Sequence, residues 1–362
     1  MIFQVCSQVD TSPGAVERHS EEICSLGKKC CIVCGRSAAD RSGALQDVES
    51  VLNRGNVSRE IYREVPPNPS VALCKDIGER ANAFQAQFLV GIGGGSALDA
   101  AKAAAVFAAN PGMDEASFYS GNWAKKPLPV LLVGTTAGTG SEVTSVAVLL
   151  DNTGKKHSIH DARLFSNLSL GDPRYTMSLP RSITLSTGID ALSHCTESYF
   201  AKKANDVSES MAIRGIRMML GPLHRVAKGE EITIEMRQIL YDASIVAGLA
   251  IAVTGTVFPH SIGYYLTEHY GISHGIASAR YLPALLDYEK EVSPDQYAQF
   301  FREIGILPEE LTNLIHQCLP KTEIRIRPEE IDPILNRWDN GSVHNTLGDI
   351  SLEKIREVFL CG

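Results

Sequence analysis

Three uninterrupted apolar runs constrain the first half of this chain more than any other feature: KKCCIVCG (28–35), QFLVGIGG (87–94) and PLPVLLVGTT (127–136). A strand with one wet face alternates apolar and polar residues, whereas a run that is apolar throughout has to be covered on both faces. Segments with helical spacing separate these runs: 40–53, a stretch that ends near 85, and the Ala-rich SALDAAKAAAVFAAN (96–110). REIYREV (59–65) alternates like a further strand and stops at Pro66-Pro67-Asn68-Pro69. Buried strands alternating with helices predict a parallel sheet with helices on both sides. Within 145–172 the pattern changes. VAVLLD, Lys155–Ile159 and LSLGD read as a small hairpin or irregular β element.

From Ser182 onward the spacing is helical almost throughout, with candidate helices near 182–202, 206–227, 231–252, 275–289, 294–304, 308–318, 328–338 and 351–360. Pro180, Gly221-Pro222, Gly229, Gly255, Gly271, Pro294 and Pro308 punctuate them. The shift near Pro180 predicts two domains, an α/β domain over 1–180 and an all-helical domain over 181–362. Such sizes are ordinary for single domains. An active site is expected in the cleft between the halves.

A net charge of −8 disfavours nucleic acid or an anionic membrane as the main partner. No run reaches the ~18 apolar residues of a membrane span, and MIFQVCSQVD lacks the basic-then-apolar order of a secretory signal. Nine cysteines without framework spacing read as reduced, mostly buried thiols, which predicts a cytoplasmic protein. A zinc site at Cys30, Cys31 and Cys34 would need a second Cys or His pair nearby, and the sequence offers none.

Two glycine-rich turns follow strands. In Gly91-Ile92-Gly93-Gly94-Gly95-Ser96 the chain passes from strand to helix, which lets backbone N–H groups approach a phosphate in front of a helix N-terminus. The same residues also suit a tight turn with no ligand. Gly134-Thr135-Thr136-Ala137-Gly138-Thr139-Gly140-Ser141-Glu142 adds hydroxyls after the next strand. Two such turns at the carboxyl ends of parallel strands point to a nucleotide or dinucleotide. Asp99 and Lys102 lie one helical turn further on, either as a surface ion pair or beside the ligand.

Asp190 and His194 stand at i, i+4 in GIDALSH, so on a helix they share a face. Phe258-Pro259-His260 and Ser273-His274-Gly275 add two imidazoles. Three imidazoles and one carboxylate suit Zn(II) or Fe(II) rather than Mg or Ca. An unbroken helix over 260–269 would run about 15 Å and carry His274 away from His260. An early break after His260, helped by Gly263, is therefore expected. The remaining histidines (His19, His157, His160, His224, His269, His316 and His344) show no such grouping, and Cys195 points off the Asp190–His194 face.

GIGGGSALDAAK, GTTAGTGSEVT, SLP…TGIDALSHCTESY and the two PH…HG histidines resemble the iron-containing alcohol dehydrogenase family, a more distant relative of glycerol dehydrogenase and dehydroquinate synthase. The resemblance runs from about 28 to 290. It implies an N-terminal Rossmann-like dinucleotide-binding domain and a C-terminal helical metal-binding domain. It places metal ligands on Asp190, His194, His260 and His274, and a pyrophosphate loop on Gly93, Gly94, Gly95 and Ser96. It further places Asp99 near the nicotinamide and a second cofactor loop on Thr135, Thr136, Thr139 and Ser141. The implied reaction is hydride transfer between NAD(P)(H) and a small alcohol, aldehyde or ketone, catalysed by a homodimer. Where many members carry an Asp after the first strand, this chain has Gly35-Arg36-Ser37. That change stops repelling a 2′-phosphate and offers it a guanidinium, which favours NADP(H) over NAD(H). Tyr264 replaces a histidine thought to assist proton transfer, and HGIASA replaces HGxxNA. Tyr264 is thus the candidate proton relay, together with ribose hydroxyls or water. A dehydroquinate-synthase-type lyase would need phosphate-binding Lys and Arg beside the metal, and 182–280 has few. A nucleotide-binding protein without catalysis is the other alternative, with all four candidate ligands against it.

Overall fold

The computed structural model describes residues 4–320, 330, 331, 335, 338 and 340–361. The described residues form two compact units, one over Gln4–Leu179 and one from Pro180 onward. The first unit is built on a six-stranded parallel sheet of β1 (Gln8–Asp10), β2 (Lys29–Cys34), β3 (Ser58–Tyr62), β4 (Phe88–Gly93), β5 (Val130–Gly134) and β8 (Leu168–Gly171). The strand order is β1-β8-β5-β4-β2-β3, with every pairing parallel.

The two faces of the central strands go to different helices. Cys30, Ile32 and Cys34 of β2, with Val90 and Ile92 of β4, pack on α1 (Ala15–Arg18), α2 (Ser20–Ser25) and α4 (Ala44–Arg54). Cys31, Val33 and Leu89 pack on α5 (Val71–Ala83) and α6 (Gly95–Ala109), with Phe118 of α7 (Glu115–Tyr119). The short α3 (Ala38–Arg41) precedes α4. This two-sided burial is why the strands read as continuous apolar runs. The connection from β2 to β3 moves outward, and that from β3 to β4 returns across β2. Strand order therefore reverses between β2 and β4, the place where open α/β sheets bind ligands at their carboxyl ends.

The region 145–172 splits in a way the sequence reading did not anticipate. β6 (Val146–Leu150) and β7 (Lys156–His160) form an antiparallel hairpin outside the main sheet. LSLG, by contrast, is β8, buried inside the sheet between β1 and β5. Ser169 breaks its apolar run, but the hydroxyl is satisfied at 2.7 Å by both Ser166 Oγ and the Glu142 carbonyl, so the serine is carried in the core. The polar QVD of β1 works as a strand because it is three residues at an edge.

In the second unit, α8 (Arg181–Tyr199) is buried on nearly every side and packs against α9 (Asp206–Ala227) and α10 (Ile234–Thr254). Its hydroxyls return to their own backbone: Ser193 Oγ donates to the Ile189 carbonyl and Thr196 Oγ1 to that of Leu192, both at 2.9 Å. α10 is long and apolar enough, by length and composition, to cross a membrane, yet 56% of that window is buried within the protein, as a core helix requires. α11 (Phe258–Tyr270), α12 (His274–Ala279), α13 (Leu282–Val292), α14 (Pro294–Ile304) and α15 (Pro308–Cys318) follow, with further helices at Gly341–His344 and Leu352–Cys361. The single helix expected over 275–289 is two, α12 and α13. Most of the helix expected at 328–338 lies outside the described residues.

Asp172, fully buried after β8, ties the N-terminal segment to the sheet. One of its oxygens accepts from the Gly14 N–H at 2.6 Å and Arg174 Nε at 2.8 Å, the other from the Arg174 N–H at 2.9 Å. Burial alone would raise its pKa, but the Arg174 and Gly14 bonds outweigh that and hold it below the usual carboxylate range. A depressed folded-state pKa contributes stability that is present above the unfolded value and lost as pH falls through the folded one. Asp172→Asn should cost about 2 kcal/mol at pH 7. Thermal melts at pH 7 and pH 3 should show the gap from wild type narrowing in acid.

Candidate metal centre and cofactor loops

The two glycine turns meet at adjacent strand ends, since β4 and β5 pair through Gly93 and Gly134. Gly93 ends β4 at φ 152°, and Gly94 caps α6 without a side-chain bond, which leaves the first-turn N–H groups of α6 to be met by other partners. Thr136 and Thr139 lie over Gly94 and Gly95: a Cβ on Gly94 would come 3.0 Å from Thr136 Oγ1, and one on Gly95 2.7 Å from Thr139 Cγ2. Packing of one loop on the other thus demands these glycines. Ser96 Oγ accepts from the Asn68 N–H at 3.2 Å. The Thr135 hydroxyl is buried without a hydrogen-bond partner among the described residues, while Thr136 and Thr139 are half-buried. At the neighbouring end of β2, Gly35 is half-buried and Arg36 and Ser37 are exposed.

Asp99 and Lys102 form no surface pair. Lys102 is buried on α6, and its ammonium donates to the Ser141 carbonyl (2.6 Å), Ser141 Oγ (2.8 Å), the Thr144 carbonyl (2.9 Å) and the Val146 carbonyl (3.0 Å). Asp99 accepts from Ser141 Oγ at 2.6 Å and the Val148 N–H at 3.1 Å, and lies 3.9 Å from Lys102. Burial pushes the Lys102 pKa down to about 8 against the pull of Asp99 and Glu142, so the ammonium is charged at neutral pH. The Ser141 hydroxyl therefore faces inward to this clamp, which fixes the second loop and the start of β6. Lys156 on β7, absent from the sequence reading, adds positive potential at Asp99.

In the helical unit, Asp190 projects one oxygen into a ring of imidazoles. Its Oδ1 lies 3.9 Å from His194 Nε2, 3.7 Å from His260 Nε2 and 3.9 Å from His274 Nε2. Ligand atoms of Asp190, His260 and His274 all fall within 4.8 Å of one another, and His194 adjoins them through Asp190. The rings of His194 and His260 stack at 4.8 Å, and His274 stands edge-on to His260 at 5.1 Å. Burial would raise the Asp190 pKa, but the three imidazoles overcome it and hold the acid well below its ordinary range. Asp190 Oδ1 and His260 Nε2 are buried and make no hydrogen bond among the described residues. Orphaned polar atoms cost about 1–3 kcal/mol each, and a cation among them satisfies both. The donor set, one carboxylate oxygen and imidazole nitrogens, is of the kind that would hold Zn(II) or Fe(II).

Helix geometry brings these residues together differently from the sequence expectation. α11 does not break after His260. It runs unbroken for 13 residues, until Gly271, at φ 65°, ends it. The reversal is made by the three-residue loop, where the Ile272 N–H reaches back to the Leu266 carbonyl at 3.4 Å. Gly263 remains helical and is where α12 crosses, its missing Cβ 2.8 Å from the Ser278 N. A Cβ on Gly275 would sit 2.0 Å from the Ser186 carbonyl oxygen and 2.7 Å from Asp190 Cβ, so α12 is seated directly on α8, with His274 at its first position. Tyr264, one turn beyond His260, stacks on His274 at 5.3 Å. His269 lies against Tyr265 at 4.2 Å, and Cys195 is buried against Gly215, apart from the centre.

Three positions that sequence reasoning missed hold His260 or the chain that leads into it. Glu197, fully buried on α8, bonds His260 Nδ1 at 2.5 Å. Asn345 Nδ2 donates to the Thr254 and Thr256 carbonyls at 2.9 and 3.1 Å, and Thr346 Oγ1 accepts from the Phe258 N–H at 3.3 Å. The spacing of Glu197, i+7 from Asp190 on the same helical face, was the available signal. Asn345 and Thr346 gave none.

The family profile described as iron-containing alcohol dehydrogenase matches residues 7–173, and that of the family's C-terminal part matches 184–325. The chain is also 34% identical over 301 residues to long-chain-alcohol dehydrogenase 1 of Geobacillus thermodenitrificans, covering 81% of this chain and 74% of that protein. The chain belongs to the iron-containing alcohol dehydrogenase family. The NAD-dependent methanol dehydrogenase of Bacillus methanolicus is 31% identical over 299 residues, 81% of this chain and 77% of that one. The crystal structure of an iron-containing alcohol dehydrogenase from Thermotoga maritima superposes with a TM-score of 0.91 at 32% identity, covering 100% of this chain and 99% of that one. The enzyme is a metal-dependent, NAD(P)-linked oxidoreductase of small alcohols and aldehydes.

Gly275→Ala should separate α12 from α8 and move His274 with it. The expected result is a loss of about 2 kcal/mol of stability and metal content per folded chain well below wild type. Thermal melts and elemental analysis of the purified variant measure both.

Proposed function

We propose that Asp190, His194, His260 and His274 together hold one divalent cation, Fe(II) or Zn(II), and that the unit from Pro180 onward carries the metal and substrate chemistry. The observation behind this reading is the single Asp190 oxygen 3.7–3.9 Å from three imidazole nitrogens in a buried setting. Borderline-soft donors of this kind suit both ions, and their relative supply decides between them. We further propose that Gln4–Leu179 binds the dinucleotide through Gly93, Gly94, Gly95 and Ser96 and through Thr135, Thr136 and Thr139. Ser141 and Asp99 hold the second loop in place, with Asp99 on the nicotinamide side. When bound, the cation supplies Lewis acidity toward an alcohol or carbonyl oxygen, and the dinucleotide supplies the hydride acceptor or donor.

The protein's own task is then placement and proton handling. Tyr264, stacked on His274, is the candidate relay for the substrate proton. A phenol hydroxyl is a hydrogen-bond and proton donor, which suits carbonyl reduction better than the role of base in alcohol oxidation. Aldehyde reduction is accordingly the direction we favour. Arg36 supports a preference for NADP(H): it is exposed, follows β2 at the strand-order reversal, and has no ion pair among the described residues. The sequence's lack of a disulfide framework, with most of the eight described free cysteines buried, supports a cytoplasmic location, and the family resemblance supports a homodimer.

Absorbance at 340 nm with NADPH or NADH and a panel of small aldehydes, run beside elemental analysis, tests the reading. One metal per chain and aldehyde-dependent oxidation are expected, and His274→Ala should lose both. Full turnover by metal-free His274→Ala would refute the assignment. Arg36→Ala should raise the KM for NADPH at least about tenfold, the loss of one charge-assisted phosphate contact, and leave that for NADH unchanged.

A further inference from the structure

We infer that Glu197 is a positioning residue of the metal centre: it sets which nitrogen of His260 is left to bind the ion. The inference rests on the metal-binding reading above. Glu197 is fully buried, seven residues beyond Asp190 on α8. Its Oε1 is 2.5 Å from His260 Nδ1, and its Oε2 accepts from the Val257 N–H at 2.9 Å. With Glu197 accepting at both oxygens, Nδ1 carries the imidazole proton and Nε2 keeps its lone pair. That Nε2 is the buried nitrogen facing Asp190 Oδ1 at 3.7 Å.

The second bond makes the arrangement decisive. Val257 immediately precedes α11, and its backbone N–H can only donate. Glu197 thus faces one donor that cannot change and one ring that can. A glutamine at the same place has one acceptor and one donor. Its carbonyl is claimed by the Val257 N–H, because an amide NH2 against that N–H would put two donors together. The NH2 is left facing His260 Nδ1. The ring then shifts its proton to Nε2, the nitrogen the centre needs unprotonated. The carboxylate thus fixes both the entry of α11 and the tautomer of its first-turn ligand, and the isosteric amide preserves shape while reversing the second function.

The test is a calorimetric titration of Zn(II) into apo-protein for wild type, Glu197→Gln and Glu197→Asp, with apo-state melting recorded for each. Wild type should bind one equivalent. Glu197→Gln should raise the zinc Kd by about 10–100-fold, and Glu197→Asp, which keeps two acceptors, should recover part of the loss. Nitrogen-15 spectra of histidine-labelled protein should show the His260 proton on Nδ1 in zinc-loaded wild type and on Nε2 in apo Glu197→Gln. A purely structural role would lower the apo melting midpoint with the zinc Kd of the folded protein unmoved, and that outcome overturns the assignment. Failure of wild type to bind a stoichiometric ion would instead overturn the metal-binding reading beneath it.

Discussion

An ionised carboxylate does not persist in a helical core without a compensating cation or a set of donors, and the whole of the second unit is arranged to give Asp190 such company. The three imidazoles come from three helices: His194 from α8 itself, His260 from the first turn of α11 and His274 from the first residue of α12. Each approach depends on a local condition. α8 carries its hydroxyls without breaking because they bond back to the preceding turn. α11 starts where it does because Asn345 and Glu197 take up the polar groups of residues 254–257. α12 reaches α8 only because residue 275 has no side chain. If any one of these is removed, the imidazoles lose their common focus, although most of the apolar core is unaffected.

The residues that meet around Asp190 were more legible in the sequence than the path that brings them together. Asp190 and His194 were readable from one helical turn of spacing, and His260 and His274 from their residue type. The path joining the last two was not. Helix length alone implied that the chain had to break at Gly263, whereas the structure keeps α11 whole and makes the return in the loop after Gly271. Periodicity reports which face a residue occupies along one element. It says nothing about the angle at which the next element crosses, and that angle is set by contacts such as Gly263 with Ser278 and Gly275 with Ser186.

The sheet unit shows the same division. β2, β4 and β5 were evident because burial on both faces leaves an apolar run with no alternation. β8 was misplaced with the hairpin because Ser169 interrupts its run, and a hydroxyl's acceptor cannot be seen until Ser166 and Glu142 are beside it. β1 is short, polar and at an edge, so neither alternation nor continuity marks it. Where an element's polar residues are satisfied from elsewhere in the chain, composition and period lose their meaning as burial signals.

Lys102 and Glu197 carry this furthest, and for one reason. Each is a buried ionisable group whose role is to hold something else: Lys102 the segment of Ser141, Thr144 and Val146, and Glu197 the ring of His260 and the Val257 N–H. On a sequence, Lys102 pairs plausibly with Asp99 at i+3, as an exposed pair worth a few tenths of a kcal/mol would. In the folded chain Asp99 and Lys102 both serve a segment some forty residues away. A buried charge that satisfies backbone carbonyls or a fixed N–H defines geometry far more sharply than an apolar contact, because its alternatives are uncompensated. The glycine loops and the imidazole ring are therefore the visible parts of two sites whose dimensions are set one layer back, by residues that contribute no motif of their own.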